Sequence, residues 1–404
     1  MVAAEQEGSR VLAPGERAAA PWTTFAGKTV LVLAQHPQAV TRLLFDVLPL
    51  LLTDPRINVV WTTPDLRYRW SSEFDDFLRE LGIARVPWWQ VLTTPYDLVL
   101  SACFGGLDET IGPKVKLPHG INGARSRIGP FPDEEQHDLR REKLMKDGKV
   151  VASALMLSHE DELAVLAKSC PEALPHAVVA GCPSFDRMLV SRRRAKRYRR
   201  ALRVCPWQKL VVVSTTWSEH SLWGSDPTVF ARLRAALPSW RYRIVVIVHP
   251  FIWLLHGRPA VLVRLKQAGV TALPYREGWR AALIAADLLA GDHGSVTQYG
   301  AALGLPVLMT TRSLRDVRRD STADRLSRLA TPFDPRKPLL RQVRAALKAG
   351  GSRDFADIAL SNHGQATEII HRVCYELLGI PKPGGVVLVR PLRRPFPIDL
   401  SDVE

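Results

Sequence analysis

Short apolar runs alternate with amphipathic stretches along most of this chain. Residues 29–33 (TVLVL) have the length and composition of a strand covered on both faces, and 57–61, 96–101, 114–117 and 177–180 repeat the pattern. Between them, 39–52 and 74–81 show helical spacing. The alternation restarts after residue 209, with strands expected at 210–214, 242–248, 287–290 and 307–308. Helices are expected there at 227–237, 259–268, 278–286, 336–350, 355–361 and 365–378. Strands alternating with helices predict doubly wound parallel sheets, one in each half of the chain. In such sheets, ligands sit beyond the carboxyl ends of the strands.

The stretch 287–308 shows the unit most clearly. An apolar strand runs into the turn Asp292-His293-Gly294, Ser295 suits the start of a helix, and Gly304 with Pro306 stops it. Gly294 is expected to relieve a backbone conformation closed to other residues. A strand feeding a helix through such a turn leaves N–H groups and the positive helix end facing outward, which suits an anion, phosphate above all. An ordinary crossover fits the stretch equally well. Four other polar loops follow strands: 35–37, 118–123, 215–216 and 249–250. His36, His119 and His249 stand in three of them.

The remaining segments have blander readings. Residues 123–148 are rich in Gly, Pro and charge and read as a long surface loop that could cover a site. Its acidic cluster 133–138 holds one histidine without ordered spacing, so a solvated loop is expected and not a metal site. Ser158 followed by Asp161 is a helix-start pattern. Residues 184–203 read as one long basic helix bridging two domains. The expected organisation is a lead-in at 1–24, an α/β domain at 25–206, a second at 207–379, and a Pro/Arg-rich tail at 380–404 with a strand-like piece at 386–389.

Composition narrows the classes. The 404 residues suit two domains, and 46% hydrophobic with 24% charged residues is ordinary for a water-soluble protein. A net charge of +15 points to anionic partners without choosing among nucleic acid, membrane and phosphorylated substrate. The five cysteines are scattered and show no CxxC spacing, so neither a disulfide framework nor a zinc module is expected. There is no signal-peptide pattern, no apolar run long enough to span a bilayer, and no GxGxxG, P-loop or GxSxG.

Five loop motifs, in order over roughly residues 115–310, resemble the CDP-glycerol glycerophosphotransferase family of teichoic-acid and capsule enzymes. They are Lys116-Leu117-Pro118-His119-Gly120, Gly181-Cys182-Pro183-Ser184-Phe185-Asp186, Ser214-Thr215-Thr216-Trp217, Val248-His249-Pro250 and Asp292-His293-Gly294-Ser295. The chain departs from the family pattern at Ser184, where an arginine is expected, at Gly294 for a serine, at Tyr299 for an acidic residue, and at Pro118 for a tryptophan.

The resemblance implies a GT-B fold: two Rossmann-like domains facing a central cleft. It implies transfer of a glycerophosphate, another alditol phosphate or a sugar from a CDP- or UDP-linked donor to a hydroxyl of a polymer or lipid-linked acceptor. His119 is expected as the base that takes the acceptor proton, and His249 as the partner of the donor phosphates. Ser214, Thr215, Thr216, Pro250, Asp292, Gly294, Ser295, Val296 and Thr297 would complete the donor side, and His36, Gly120 and Asn122 the acceptor side. With no Asp-x-Asp motif, neither metal nor cofactor is expected. The expected location is the cytoplasm, with peripheral contact at the inner membrane face. UDP-sugar 2-epimerases have similar loops at 35–37 and 292–295 and are the alternative enzyme. A non-catalytic relative and a nucleic-acid-binding protein are the readings from other classes, the latter disfavoured because the basic residues are confined largely to one helix and the tail.

Overall fold

The computed structural model describes residues 27–65, 72–121, 136–226, 228–310, 317–385 and 387–400. The lead-in at 1–24, Asn122 and residues 123–135 of the expected covering loop lie outside them.

The strands are β1 (Lys28–Leu33), β2 (Ile57–Thr62), β3 (Leu98–Ser101), β4 (Lys114–Lys116), a small hairpin of β5 (Met145–Lys146) and β6 (Lys149–Val150), β7 (Ala154–Leu157) and β8 (Ala177–Val179). After residue 206 come β9 (Lys209–Thr215), β10 (Tyr242–Val248), β11 (Thr271–Ala272), β12 (Leu288–Gly291), β13 (Val307–Met309) and β14 (Thr331–Pro332). Two six-stranded sheets result, in the orders β2-β1-β3-β4-β7-β8 and β11-β10-β9-β12-β13-β14. Every pairing within them is parallel. Helices cover both faces, which is why Val30 to Leu33 and Leu210 to Val213 are all at 0% exposure. The order reverses between β1 and β3 in one sheet and between β9 and β12 in the other. Loops diverge at such points and leave a crevice.

Helices tie the halves together. The Pro183–Ser191 and Ala195–Ala201 helices give Phe185, Met188 and Tyr198 to the core beside the second sheet. The Ala366–Leu378 helix returns to the first sheet, burying Ile370, Val373, Cys374, Tyr375 and Leu378 with Val30, Leu98 and Val115. Asp186 holds its start, accepting hydrogen bonds from Gly364 N, Thr367 N and Thr367 Oγ1, each at 2.8 Å.

Several expectations need correction. The helix expected over 39–52 is regular only over Pro37–Arg42. It widens into a π turn at Leu43–Val47 and tightens at Leu48–Leu50, because Pro49 has no N–H and its ring crowds the preceding turn. The basic helix is two helices joined by a 3₁₀ turn at Arg192–Arg194. Six of its arginines (192, 193, 194, 197, 200 and 203) and Lys196 are exposed, whereas Arg199 pairs with Asp287 at 2.7 Å. Residues 387–390 form no strand, and Pro391 follows without an N–H for a ladder. Ser158 is no cap: its hydroxyl is buried, and Glu162 instead reaches back to accept from His159 N at 3.2 Å and from Ser158 N at 2.6 Å. The end of the acidic cluster is no solvated loop either, since Gln136, His137 and Asp138 line the cleft. Among the described residues no helix is long and apolar enough to cross a membrane.

Candidate active site

A cavity of about 490 Å³ lies between the two sheets, at both points of strand-order reversal. His36, His119, Ser214, Thr215, Thr216, His249, Pro250, Gly294, Ser295 and Val296 all line it.

On the first-domain side, strand ends deliver titratable groups. His36 follows β1 and starts the Pro37–Arg42 helix, its Nδ1 accepting from Ala39 N at 3.3 Å. Its Nε2 lies 2.8 Å from the Sγ of Cys103, which follows β3. His119, in the loop after β4, meets His36 edge-on with ring centroids 5.2 Å apart. Burial, then the neighbouring His119, lowers the His36 pKa to about 3. Burial also lowers His119, against the opposing pull of Asp138, and pushes the Cys103 thiol up to about 12. The His119 ring opens onto the cavity, yet the cleft walls still disfavour its imidazolium. At neutral pH both imidazoles are therefore uncharged. Asp138 stays ionised: burial would raise its pKa, but Lys116, His119 and Lys143 outweigh that and lower it. Lys143 Nζ sits 2.6 Å from His137 Nε2.

The second-domain side is built from hydroxyls and backbone. Thr215 ends β9 and Gly291 ends β12, and Asp292 joins their loops from behind. One of its carboxylate oxygens accepts from Thr216 N at 2.6 Å, Thr216 Oγ1 at 2.9 Å, Leu222 N at 3.2 Å and Thr215 Oγ1 at 3.3 Å. The other accepts from Gly294 N at 3.2 Å. Asp292 is fully buried and thus orients the turn without facing the cavity. The Ser295–Ala302 helix begins at the cavity with Ser295 and Val296 in its first turn.

Gly294 is needed for a different reason from the one its sequence suggests. Its φ of −68° is open to any residue. A Cβ there, however, would come within 2.6 Å of Thr216 Cγ2, so any side chain would have to displace Thr216, whose hydroxyl is held by Asp292. Thr297 is likewise corrected: fully buried, it turns its side chain toward Gly291 and away from the cavity.

The two sides meet through His249 and through Gly120. His249 follows β10 and caps the Pro250–His256 helix, its Nδ1 accepting from Phe251 N at 3.2 Å. Its Nε2 lies 2.9 Å from the side-chain amide of Gln38, whose oxygen lies 3.0 Å from His36 Nδ1. Gly120 lies against Ser295, and a Cβ at that glycine would come within 3.1 Å of the serine Oγ. Below the cavity, Asp46 is held by Arg187 at 2.7 Å, Arg280 at 3.0 Å and Arg42 at 3.3 Å. Burial would raise its pKa, but these guanidinium groups hold the carboxyl well below the usual carboxylate range. Arg42 Nη1 and Arg280 Nη2 donate to Ser184 Oγ at 2.8 and 3.0 Å. Guanidinium groups from two other elements thus converge on Ser184.

Sequence reasoning missed Cys103, Gln38, Asp138 and Lys143. Cys103 and Gln38 stand directly beside flagged strand ends, which was the available signal; Asp138 and Lys143 sit in a stretch whose composition resembled open loop.

Two facing parallel-sheet domains with a cleft at their strand ends define a GT-B-like fold. Solved structures with this arrangement include the wall teichoic acid polymerase TagF (TM-score 0.56, 12% identity, 87% of this chain and 89% of that one). Others are the UDP-GlcNAc 2-epimerase of Methanocaldococcus jannaschii in complex with UDP-GlcNAc and UDP (TM-score 0.53, 14% identity, 86% and 99%), and a putative UDP-N-acetylglucosamine 2-epimerase from Listeria monocytogenes (0.52, 14%, 90% and 100%). No family model and no curated protein matches the sequence. At these identities the likeness is one of fold.

Proposed function

We propose that this protein is a GT-B-type transferase that moves an alditol phosphate or a sugar from a nucleotide-diphospho donor to an acceptor hydroxyl. The observation that carries the reading is the meeting of the His119-Gly120 loop with the first turn of the Ser295–Ala302 helix. A group able to take a proton thus faces a group of N–H donors able to hold a diphosphate. The donor phosphates lie against the backbone of Ser295 and Val296, with the Ser295 hydroxyl and His249 beside them. His119 takes the acceptor proton as the acceptor oxygen bonds to the transferred phosphorus or anomeric carbon. The bond to the donor's remaining phosphate breaks, and the nucleotide leaves with that electron pair. The donor is a substrate, and no further cofactor takes part.

Two of the solved relatives are named for UDP-GlcNAc epimerisation and one for teichoic acid polymerisation, all nucleotide-activated or envelope-polymer chemistry. On this proposal the acceptor is a polymer or lipid-linked chain, and the exposed arginines at 192–203 would supply salt-sensitive contact with an anionic surface. Co-sedimentation with anionic vesicles at low and high salt reads that contact directly, and salt-insensitive binding would count against it.

The deciding experiment is a thermal-shift panel of CDP-, UDP-, GDP- and TDP-linked donors. A ligand at a hundred times its dissociation constant adds about 2.7 kcal/mol of stability. A shift with no member of the panel removes the reading. Conversion of a bound UDP-sugar without any acceptor would place the protein with the epimerases instead.

A further inference from the structure

We infer that His36, Cys103 and His119 form a binding site for a soft divalent metal ion of the zinc class, open to the cleft. Three adjacent strands, β1, β3 and β4, each deliver one of these residues from the loop at its carboxyl end. One ligand atom from each lies within 4.8 Å of the other two, and no other group of three such residues meets this test among the described residues.

The spacing suits the ion. Zinc bonds of about 2.0–2.1 Å to nitrogen and 2.3 Å to sulfur place tetrahedral ligand atoms roughly 3.3–3.6 Å apart. The His36 Nε2 to Cys103 Sγ distance of 2.8 Å is a hydrogen bond that an ion would open by under about 1 Å, within reach of side-chain rotation. On binding, the ion takes the thiolate and the thiol proton leaves to solvent. All three residues line the cavity, so the fourth position faces it, as in catalytic rather than closed structural zinc sites.

Outer partners are in place. With the ion on Nε2, His36 carries its proton on Nδ1, where Gln38 Oε1 lies 3.0 Å away to accept it, and the longer 3.3 Å contact from Ala39 N is given up. His119, whose pKa burial lowers, is neutral at pH 7 and so keeps a lone pair on one ring nitrogen. Lys116 and Lys143 balance Asp138 and the new thiolate, so the surroundings offer a dication no net negative charge. Affinity then rests on the sulfur and imidazole bonds, which favours zinc over magnesium or calcium. A bound ion occupies the lone pair that His119 would use as a base. The inference therefore stands apart from the proposed transfer, which excludes the ion while it runs.

Metal titration of the full, metal-free protein tests it without any activity readout. Calorimetry with Zn²⁺ should show one equivalent, and Co²⁺ should give a thiolate-to-cobalt charge-transfer band with the visible bands of a four-coordinate ion. Cys103→Ser should abolish the charge-transfer band, and Cys205→Ser, the other cysteine that is not fully buried, should leave it unchanged. Gln38→Ala should weaken zinc binding by about 10–100-fold while keeping the band. Absence of saturable zinc binding, or a band that survives Cys103→Ser in protein of unchanged melting temperature, overturns the site.

Discussion

The two walls of the cleft are built on opposite plans. The first-domain wall carries side chains that gain or lose protons: two imidazoles and a thiol moved from their ordinary ranges, with Lys143 and Asp138 beside them. The second-domain wall offers backbone N–H groups and hydroxyls beside the imidazole of His249, and the carboxylate of Asp292 is turned inward to hold two loops together. Related sheets have thus been given different tasks through what their strand ends carry. The first wall brings imidazoles and a thiol together in one cluster, and the second sets backbone N–H groups at a helix start beside a single capping imidazole, His249.

The largest effect expected from this division is on chemistry. His119→Ala should lower transfer by roughly 10²–10⁴-fold, about 3–5 kcal/mol of barrier, with an unchanged melting temperature because the ring faces the cavity. Full activity in that variant would end the claim that the first wall moves the proton. The reciprocal substitution, Asp292→Ala, strands several donors in a buried turn and should cost about 3 kcal/mol of stability in urea denaturation. A cost below about 0.5 kcal/mol would show that the second wall is not held from behind.

A third test uses pH. The folded state lowers His36 from 6.5 to about 3, so folding favours the neutral ring. That contribution is complete above about pH 6.5 and declines as pH falls toward 3, by at most about 2 kcal/mol at pH 5, less where solvent screens the ring. Wild type should therefore lose more stability between pH 7.5 and 5 than His36→Asn, which retains an oxygen to cap the helix. Parallel losses would mean that His36 does not titrate in this way. The smallest effects belong to the turn itself. Gly294→Val should weaken donor binding by calorimetry at least about tenfold, roughly 1.4 kcal/mol, by forcing the loops apart. Ser295→Ala should cost about 1 kcal/mol or less, since the backbone N–H groups remain. Equal losses for the two variants would shift the phosphate contact from backbone to hydroxyl.

The sequence made the scaffold readable because fully covered parallel strands are unbroken Val/Leu runs. Each strand end followed by a polar loop pointed to the cleft, so His36, His119, Thr216, His249 and Ser295 were all traceable to it. The rest depended on contacts distant in sequence. Nothing local distinguishes Cys103 from the other scattered cysteines; it matters because β3 lies beside β1. Thr297 looked like a phosphate ligand, but its rotation about the helix axis sends it to Gly291. Gly294 was correctly noticed for the wrong reason, since the constraint is the neighbouring Thr216 and not its own backbone.

The returning Ala366–Leu378 helix has a consequence for how the protein is made. The last strand of the first sheet ends at Val179, but the helix that seals its core starts at Ala366. At about 5–20 residues per second, translation separates the two by roughly ten to forty seconds. During that interval the core of Val30, Leu98 and Val115, already packed by Val40, Leu43 and Phe77, waits on the ribosome for its last covering helix. The first half to be synthesised is therefore finished only near the end of the chain.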